Sequence, residues 1–519
     1  MICLDNPRDS AERAVSALLK VPAPADDLGR LFAGAGHSLY LVGGSVRDAL
    51  LGRLNVDAAA DGLGVADLDF ATDARPERVL EITRGWADAT WEAGIAFGTV
   101  GLIRHGVRFE VTTYRTEAYD RTSRNPTVAY GDTLEGDLVR RDFTVNAMAV
   151  SVPGHEFIDL FGGMADLARK VLRTPGSPEA SLDDDPLRIL RAARFEAQLG
   201  LIPVGELVAA MRSRTPRLTI VSVERIRDEL RKLMVGADPV AGLERLVDIG
   251  VADIVLPELP ALRMEIDEHH QHKDVYTHTL TVLRQAIALE DPLPDGGPDE
   301  VLRWAALLHD IGKPRTRRHA PGGGVSFHHH EVVGRDMTRK RLAELRFPKD
   351  VADTVTLLVF LHLRFHGYGR GEWTDAAVRR YVHDAGPQLS RLHKLVRSDC
   401  TTRNRRKAEM LAATYDTLEE RIARLSEREE IAAIRPELSG DDIMELLGLS
   451  PGRLVGQARA HMLDFRFEAG LVGREAAETE LLRWARENDV PLPGDLPDLP
   501  DLPDLPDLPD LPDLPDQAT

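Results

Sequence analysis

Two aspartates one residue apart, Asp67 and Asp69, are the residues of this sequence with the clearest chemical potential. Apolar residues alternate with them, which is the pattern of a strand whose successive side chains face opposite sides, so both carboxylates face the same way. Mg²⁺ prefers such oxygen ligands together with substrate phosphates. The alternating segment 107–113 predicts a second strand, and pairing of the two strands would add Glu110. We expect Asp67, Asp69 and Glu110 to form a catalytic Mg²⁺ site.

A glycine turn must place phosphates beside these carboxylates. Tyr40 to Val42 predict an apolar strand, and Gly43 and Gly44 follow it directly before a helix start. Glycines allow backbone amides to approach phosphate oxygens closely. A tight turn and a solvated Asp-x-Asp are the ordinary readings of each piece alone. Their order along the chain favours a site for a metal-bound nucleoside triphosphate.

The combination resembles the nucleotidyltransferase superfamily, and Gly43-Gly44-Ser45-Val46-Arg47-Asp48 is similar to class II tRNA nucleotidyltransferases and bacterial poly(A) polymerases. The resemblance implies an α+β fold, in which an N-terminal α/β head of the polymerase-β type is followed by an all-α neck, a further helical domain and a helical tail. It also implies that Gly43, Gly44, Arg47 and Asp48 bind nucleotide. Helical periodicity and few β-rich runs after Leu172 agree with a helical remainder.

Two further motifs extend this resemblance. Arg140-Arg141-Asp142 precedes an apolar segment, and paired guanidiniums suit triphosphate oxygens. By resemblance, Arg141 and Asp142 bind nucleotide or sugar. The segment Asp159-Leu-Phe-Gly-Gly163 matches a short hinge motif between head and neck.

A basic helix is predicted next. Asp183, Asp184 and Asp185 followed by Pro186 indicate a helix start, and three arginines then recur every third residue on one face: Arg188, Arg191 and Arg194. A solvated basic face is the alternative interpretation. The family usually has Glu where Asp184 stands, so a neighbouring contact of that side chain is in doubt.

An aspartate accepts from the exocyclic amino group of cytosine or adenine, and an arginine donates to the neighbouring ring position. The resemblance assigns this base reading to Asp185 and Arg188, and places Arg191 and Arg194 nearer the phosphates. It also suggests that Glu224 and Arg227, in the helical segment 222–233, brace the base-reading helix. Ordinary surface pairing explains those charges nearly as well.

A second set of potential ligands is spread over the middle of the chain. It comprises His278, His309, Asp310, His330, His362 and Asp399. Imidazole and carboxylate together suit a divalent metal. The pair His309-Asp310 followed by Ile311-Gly-Lys313 resembles the HD phosphohydrolase superfamily. This resemblance implies an HD domain with a possible second divalent metal and a phosphoester substrate.

Composition places the chain among soluble globular proteins with room for three or four domains. Apolar runs approaching about 20 residues are absent, so we expect no membrane span. The start lacks the pattern of a signal peptide, and Cys3 and Cys400 are too few for a disulfide framework. These features predict a cytoplasmic protein.

The net charge of −19 is partly due to an Asp-Leu-Pro repeat that runs from Asp495 to Asp516. Proline at every third position favours a polyproline-like or disordered segment. We interpret this segment as a dispensable extension, with a ligand for a partner protein as the alternative. Nucleic acid would then contact local basic clusters. The candidates, which can equally be solvated surface, are 313–318, 379–380 and 403–407.

We predict a Mg²⁺-dependent tRNA nucleotidyltransferase that adds C, C and A from CTP and ATP, with protein partners left open. The alternatives are a poly(A) polymerase or a partial CC- or A-adding enzyme, an HD phosphohydrolase acting on RNA ends or nucleotides, and an RNA-binding scaffold. The stretch between Tyr114 and Leu138 resembles the loop of full CCA enzymes. The predicted domains are 1–28 (extension), 29–175 (head), 176–262 (neck), 263–420 (HD), 421–493 (tail) and 494–519 (repeat).

Overall fold

The computed structural model describes residues 21, 23–53, 67–92, 94, 95, 98–118, 127–264, 274–294, 296–320, 324–365, 373–402, 404–429 and 434–493. The Asp-Leu-Pro repeat, the side chain of Asp67 and, except for residues 21 and 23–28, the predicted N-terminal extension lie outside these residues. The chain forms two compact units, residues 1–266 with 341–348, and residues 267–340 with 349–519. In the described ranges, no helix combines the length and apolar character needed to cross a membrane. The finer domain boundaries stay predictions.

The first unit contains a mixed sheet of seven strands. They are β1 Leu39–Val42, β2 Asp67–Thr72, β3 Ala89–Trp91, β4 Thr99–Arg104, β5 Val107–Thr113, β8 Ala149–Val152 and β9 Phe157–Ile158, and a separate antiparallel pair is β6 Arg115–Ala118 with β7 Thr127–Tyr130. The order of the strands in the sheet is β3-β4-β5-β2-β1-β8-β9. Strand β2 pairs in parallel with β5, and its other neighbour β1 is antiparallel.

The predicted alternation in the strands is present. Leu68 and Phe70 are buried with Phe109 in the core of the head, whereas Asp69 is half-buried and Glu110 is exposed. Burial of these apolar side chains fixes which face of each strand points inward. The polar residues of β2 and β5 therefore share the opposite face.

Helices cover the sheet and then form the neck, which confirms the predicted α+β class. The helices of the first unit are α1 Ala23–Gly34, α2 Gly44–Leu50, α3 Pro76–Ile82, α4 Leu134–Val139, α5 Gly163–Arg169, α6 Pro178–Asp184, α7 Arg188–Leu199, α8 Gly205–Arg214, α9 Val223–Met234, α10 Pro239–Asp248 and α11 Ala252–Val255. Short 3₁₀ turns lie at Thr144–Asn146, Thr215–Ile220 and Pro260–Leu262, and the short strands β10 Val171–Leu172 and β11 Ile202–Pro203 pair in parallel.

Two local predictions in this unit need correction. Asp183 and Asp184 do not begin the arginine-bearing helix but end α6, and α7 starts at Arg188. Pro186 interrupts the helix, because a proline ring disfavours helical backbone at the residue before it. The stretch between Tyr114 and Leu138 is only partly loop, since its described ends form the β6–β7 pair and α4; residues 119–126 lie outside the described part.

The second unit is helical, with one small antiparallel pair, β12 Arg318–Ala320 and β13 Gly324–Ser326. Its helices are α12 Val275–Leu289, α13 Glu300–Leu308, α14 Lys313–Thr316, α15 His330–Glu344 (whose last residues belong to the first unit), α16 Lys349–Leu361, α17 Asp375–Ala385, α18 Leu389–Ser398, α19 Arg405–Glu429, α20 Gly440–Leu447, α21 Arg453–Ala469 and α22 Arg474–Glu487, and a 3₁₀ turn lies at Gly386–Gln388. The last three helices enclose their own core, with Leu438, Met462 and Trp484.

Candidate functional site

The glycine turn, Asp69 and Arg141 meet at one corner of the head. Gly43 has φ +70°, a conformation that L side chains rarely adopt. A Cβ added at Gly43 would lie 2.8 Å from Arg141 Nη1 and 3.9 Å from Asp69 Oδ2. The Ser45 hydroxyl accepts a hydrogen bond from the backbone amide of Asp69 at 3.2 Å, which ties α2 to β2. A side chain at position 43 would therefore require a strained backbone and a shift of the Arg141 guanidinium.

The parallel register of β2 and β5 sets Asp69 opposite Glu110 and Asp67 opposite Arg108. Paired residues of neighbouring strands point to the same face, so Asp69 and Glu110 lie side by side as the sequence predicted. The backbone of Asp67 places it two residues before Asp69 in β2. This carboxylate set fits a hard divalent cation such as Mg²⁺, which takes oxygen ligands.

A polar network links the helix after the glycine turn to the neck helix. Arg47 donates from Nε and Nη2 to the carboxylate of Asp48 and from Nη1 to Asn146 Oδ1 at 2.6 Å. Asn146 donates to Asp142 Oδ1 at 2.9 Å. Arg191 donates from Nε and Nη2 to Asp142 Oδ2 at 2.8 and 2.6 Å. Asp142 thus orients two arginines of different elements, one of them through Asn146.

Asp142 is buried, with 8% of its surface exposed. Burial by itself raises the pKa of a carboxyl, but the charge of Arg191 and the hydrogen bonds from Asn146 and Arg191 outweigh it and lower the pKa of Asp142 to about 2. Asp142 is therefore a permanent anion that holds Arg191 in place.

The two predicted base readers have protein partners in this structure. Asp185 Oδ2 accepts from Arg225 at 2.7 Å, and its Oδ1 accepts from the backbone amide of Leu187. Arg188 donates to the Ser181 hydroxyl at 2.6 Å and to the carbonyl of Arg140 at 2.5 Å. The residues adjoin at the start of α7, but their side chains turn to different neighbours.

The brace of α7 differs from the prediction. Glu224 pairs with Arg346, and Arg227 pairs with Asp228; among the described residues no ion pair joins either side chain to α7. Glu229 of the same helix instead lies 3.0 Å from Arg194 Nε and 3.5 Å from Arg191 Nη1. Glu229 is 4% exposed.

The sequence motifs did not predict a role for Phe195. Its ring lies 4.4 to 5.7 Å from the guanidinium carbons of Arg194, Arg47 and Arg191. The buried side of amphipathic α9 was the available signal for Glu229, because a glutamate on an apolar face needs a cationic partner. The predicted hinge is a packing point: Asp159 caps α5 through the amides of Gly163 and Met164, and a Cβ at Gly163 would lie 2.1 Å from the Thr144 carbonyl oxygen.

In the second unit all six predicted ligands converge. His278 Nε2 lies 2.9 Å from Asp399 Oδ1 and 3.4 Å from Asp310 Oδ2, and His309 Nε2 lies 3.2 Å from the same Asp310 oxygen. The other oxygen of Asp310 faces His330 Nε2 at 3.2 Å and His362 Nε2 at 4.0 Å. Two trios of possible metal ligands therefore share Asp310, one through each oxygen.

The outer nitrogens of these histidines are all occupied. His309, His330 and His362 each bond through Nδ1 to the carbonyl three residues earlier, at 2.9, 2.8 and 2.6 Å. His278 Nδ1 lies 2.9 Å from the Thr401 hydroxyl. Such contacts fix Nε2 as the inward nitrogen, which is how metal-binding histidines are oriented.

The charges of this cluster also suit a cation. Burial opposes a charge on His309, but Asp310 and Asp399 outweigh it and raise the pKa of His309 to about 10. Burial and the charge of His309 lower the pKa of His362 to about 3. In the described part of the chain His309 Nε2 is buried beside Asp310 Oδ2 at 3.2 Å, but it makes no hydrogen bond of good angular geometry. The donor set thus fits a divalent metal, which would take the place of the His309 proton.

The three basic clusters predicted to contact nucleic acid differ in their exposure and in their ion pairs. Arg379 is 6% exposed and bonded to Glu429 and to the Phe467 carbonyl, so it is a structural residue and not a phosphate contact. Lys313 Nζ lies 2.6 Å from Asp310 Oδ2, beside the histidine cluster. Arg405, Arg406 and Lys407 are exposed at the start of α19, and Arg403 lies outside the described residues.

Three family models match the chain in order. The poly A polymerase head domain matches residues 39–173, the probable RNA- and SrmB-binding site of polymerase A matches residues 205–262, and the HD domain matches residues 275–430. These matches cover the glycine turn with its carboxylates, the neck after α7, and all six ligands of the second unit.

One similar curated protein is the A-adding tRNA nucleotidyltransferase of Deinococcus radiodurans, 36% identical over 361 residues, which are 68% of this chain and 80% of that protein. Another is the CCA-adding enzyme of Levilactobacillus brevis, 39% identical over 218 residues. That match covers 42% of this chain, which spans only 51% of the Levilactobacillus protein.

Among solved structures, the Bacillus stearothermophilus CCA-adding enzyme in complex with CTP is similar with a TM-score of 0.62, at 24% identity, over 90% of this chain and 99% of that chain. At this identity the likeness concerns the fold. Together with the site geometry and the Deinococcus relative, it leads to one assignment. The chain belongs to the family of tRNA nucleotidyltransferases and poly(A) polymerases, and it is a nucleotidyltransferase with an HD domain in the same polypeptide.

Proposed function

We propose that this enzyme adds C, C and A to the 3′ end of tRNA, taking the nucleotides from CTP and ATP and releasing pyrophosphate. The observation that carries the proposal is the pairing of Asp69 with Glu110 beside the corner formed by Gly43 and Arg141. A carboxylate pair next to a glycine turn and a guanidinium is the arrangement that nucleotidyl transfer requires.

Each group has a task in this proposal. Asp67, Asp69 and Glu110 hold Mg²⁺, which supplies charge stabilisation at the transferred phosphorus when it is bound. Gly43 and Gly44 leave room for the triphosphate, and Arg141 and Arg47 face its oxygens. Asp48 holds Arg47, and Asp142 holds Arg191. The chain thereby positions the nucleotide, and positioning is the larger part of catalysis in phosphoryl transfer.

Selection of C and A is assigned to Asp185 and Arg188. In the structure Asp185 is paired with Arg225, and Arg188 with Ser181 and the Arg140 carbonyl. An incoming base must replace these partners, and cytosine or adenine offers the amino donor for Asp185 and the acceptor for Arg188. Arg191 and Arg194 stay behind them, fixed by Asp142 and Glu229.

The test is a single-nucleotide extension assay on tRNA that lacks its 3′ end, with CTP, ATP, UTP or GTP alone and with CTP plus ATP. Addition that stops at CCA supports the proposal. Asp69→Ala is expected to abolish transfer while tRNA binding persists. Arg188→Ala is expected to admit UTP, and unchanged rejection of UTP would remove Arg188 from base selection.

A second candidate is addition of A alone, because the relative with 80% of its length matched is named an A-adding enzyme. The same head residues would serve this reaction. A tRNA that already ends in CC separates the candidates: an A-adding enzyme extends it but incorporates nothing on the tRNA that lacks CC. A long A tail would instead indicate a poly(A) polymerase.

We further propose that the HD domain binds a divalent metal and hydrolyses phosphoesters at RNA ends or in nucleotides. The convergence of four inward histidine nitrogens with Asp310 and Asp399 supports this. Hydrolysis of p-nitrophenyl phosphate in the presence of Mn²⁺, Ni²⁺ or Mg²⁺, and its loss in Asp310→Ala, tests the proposal.

We also propose a cytoplasmic location for the enzyme, as expected from its low cysteine content.

A further inference from the structure

A surface cleft of about 310 Å³ lies in the second unit between α12 and the first half of α19. We call it the Gln285 cleft. Three alanines face one another across it, Ala288 on α12 and Ala408 and Ala412 on α19. The two positions on α19 are four residues apart and hence one above the other on the helix. Methyl groups at these places leave the space that larger side chains would fill.

The cleft lies beside the histidine cluster. Gln285 follows His278 by seven residues on α12, which puts both on one face of the helix at roughly 10 Å along its axis. Cys400, which also lines the cleft, directly follows the ligand Asp399. A molecule with a phosphate at the histidine cluster would therefore have its remainder within reach of the cleft.

One wall of the cleft is a flat cation held in a fixed orientation. The Arg397 guanidinium donates to Asp416 at 2.7 Å and to Glu419 at 3.1 Å. Its carbon lies 5.3 Å from the centroid of the Tyr415 ring, and that ring packs on Phe365 with centroids 4.2 Å apart. Arg397 and Tyr415 line the Gln285 cleft as well as a smaller cavity that Phe365 lines. The stack Phe365, Tyr415 and Arg397 thus ends at the cleft.

Gln285 also lines the cleft. Gln285 Oε1 is buried and has no hydrogen-bond partner in the described part of the chain. An unsatisfied buried acceptor costs free energy that a ligand donor can recover. A carboxamide pairs with a ring that shows an amino group beside a ring nitrogen, which is the edge of adenine and of cytosine. Arginine planes are common stacking surfaces for bases.

From these observations we infer that the Gln285 cleft is a nucleobase site of the HD domain: an adenine or cytosine stacks on Arg397 and pairs with Gln285 while its phosphate lies at the histidine cluster. The inference rests on the proposed phosphohydrolase function for the position of the phosphate only. It assigns to that centre a substrate class, the nucleoside monophosphates and RNA ends whose base is adenine or cytosine.

The experiment uses Cys400 as a reporter in the full chain carrying Cys3→Ser, where it is the sole thiol because the sequence has two cysteines. The rate of alkylation by iodoacetamide is measured with AMP, CMP, UMP or GMP at fixed divalent metal. AMP and CMP are expected to slow the alkylation, and UMP much less. Gln285→Leu should weaken the protection by AMP at least about fivefold, the value of a bidentate base contact.

Ala412→Trp fills the cleft from its exposed side and should remove protection, whereas Met410→Ala, an exposed residue two positions earlier on α19, should not. Equal protection by all four nucleotides, or none, would overturn the inference. Faster alkylation on deletion of residues 494–519 with no nucleotide effect would also overturn it, since the acidic repeat would then be the occupant.

Hydrolysis separates this inference from the function on which it rests. With p-nitrophenyl phosphate, which has no base, Gln285→Leu should match the wild type, and with AMP its KM should rise at least about fivefold at similar kcat. Unchanged KM for AMP in an active enzyme would sink the base site alone. Protection of Cys400 by AMP without any hydrolysis would support the nucleobase site and contradict the phosphohydrolase function.

Discussion

Arg191 of the neck donates two hydrogen bonds to a single oxygen of Asp142 in the head, at 2.8 and 2.6 Å. Asp142 accepts from Asn146 through its other oxygen, and Asn146 accepts from Arg47. The glycine-turn helix and the arginine-bearing helix are therefore joined through one buried carboxylate. This connection sets the position of Arg47 and Arg191 relative to the carboxylates on the sheet.

Stability should depend on the charge of Asp142. Its pKa is lowered from 3.8 to about 2, so its ionised form stabilises the fold fully above the unfolded-state pKa, and this contribution disappears as the pH falls from about 4 to about 2. The pKa difference corresponds to about 2 kcal/mol. Urea-unfolding midpoints between pH 5 and pH 2.5 should fall more steeply for the wild type than for Asp142→Asn. Parallel curves would contradict the role of this carboxylate.

Gly43→Ala should reduce nucleotide incorporation on the order of 100-fold, because the new Cβ would displace Arg141 from its place beside Asp69. Gly36→Ala is a matched control, since Gly36 also has a positive φ but a Cβ there has open space around it. Steady-state incorporation of CTP measures both variants. A similar loss of activity in both would mean that backbone strain, and not the contact with Arg141, is responsible.

Glu229→Gln should destabilise the first unit by about 3 kcal/mol, the cost of leaving a buried cation without its partner. Glu224→Gln, on the same helix and paired with Arg346 at the surface, should change the unfolding midpoint little. Chemical denaturation followed by circular dichroism measures the difference. A larger loss of stability in Glu224→Gln than in Glu229→Gln would indicate that Glu224 is the residue that supports α7.

Asp310→Asn should lose metal from the second unit while nucleotidyl transfer persists, because both ligand trios share this carboxylate. Thr401→Val should weaken metal affinity roughly 10- to 100-fold, since the Thr401 hydroxyl orients His278. Metal titration by calorimetry, with bound metal counted by mass spectrometry after dialysis, tests both. Full metal content in Asp310→Asn would contradict the ligand assignment.

Features that depend on local order and periodicity could be predicted from the amino-acid sequence. The alternation in β2 and β5 fixed which face carries Asp69 and Glu110, because burial of every second side chain leaves one choice. The six residues of the histidine cluster were identifiable from their order and the family resemblance, and three of the histidines bond to a carbonyl only three residues away in the chain.

The pairing of charged groups that are distant in the chain could not be predicted, because it depends on how the helices pack. Glu224 and Glu229 lie on the same helix with similar charged neighbours. The family resemblance pointed to Glu224 and ordinary surface pairing explained its charge nearly as well, whereas Glu229 is the residue that lies beside Arg194 and Arg191. Likewise Arg379 and Arg380 form one basic cluster in the sequence, but in the structure Arg379 is buried and bonded to Glu429. Helical periodicity specifies a face, whereas the partner of a charge depends on which helix packs against that face.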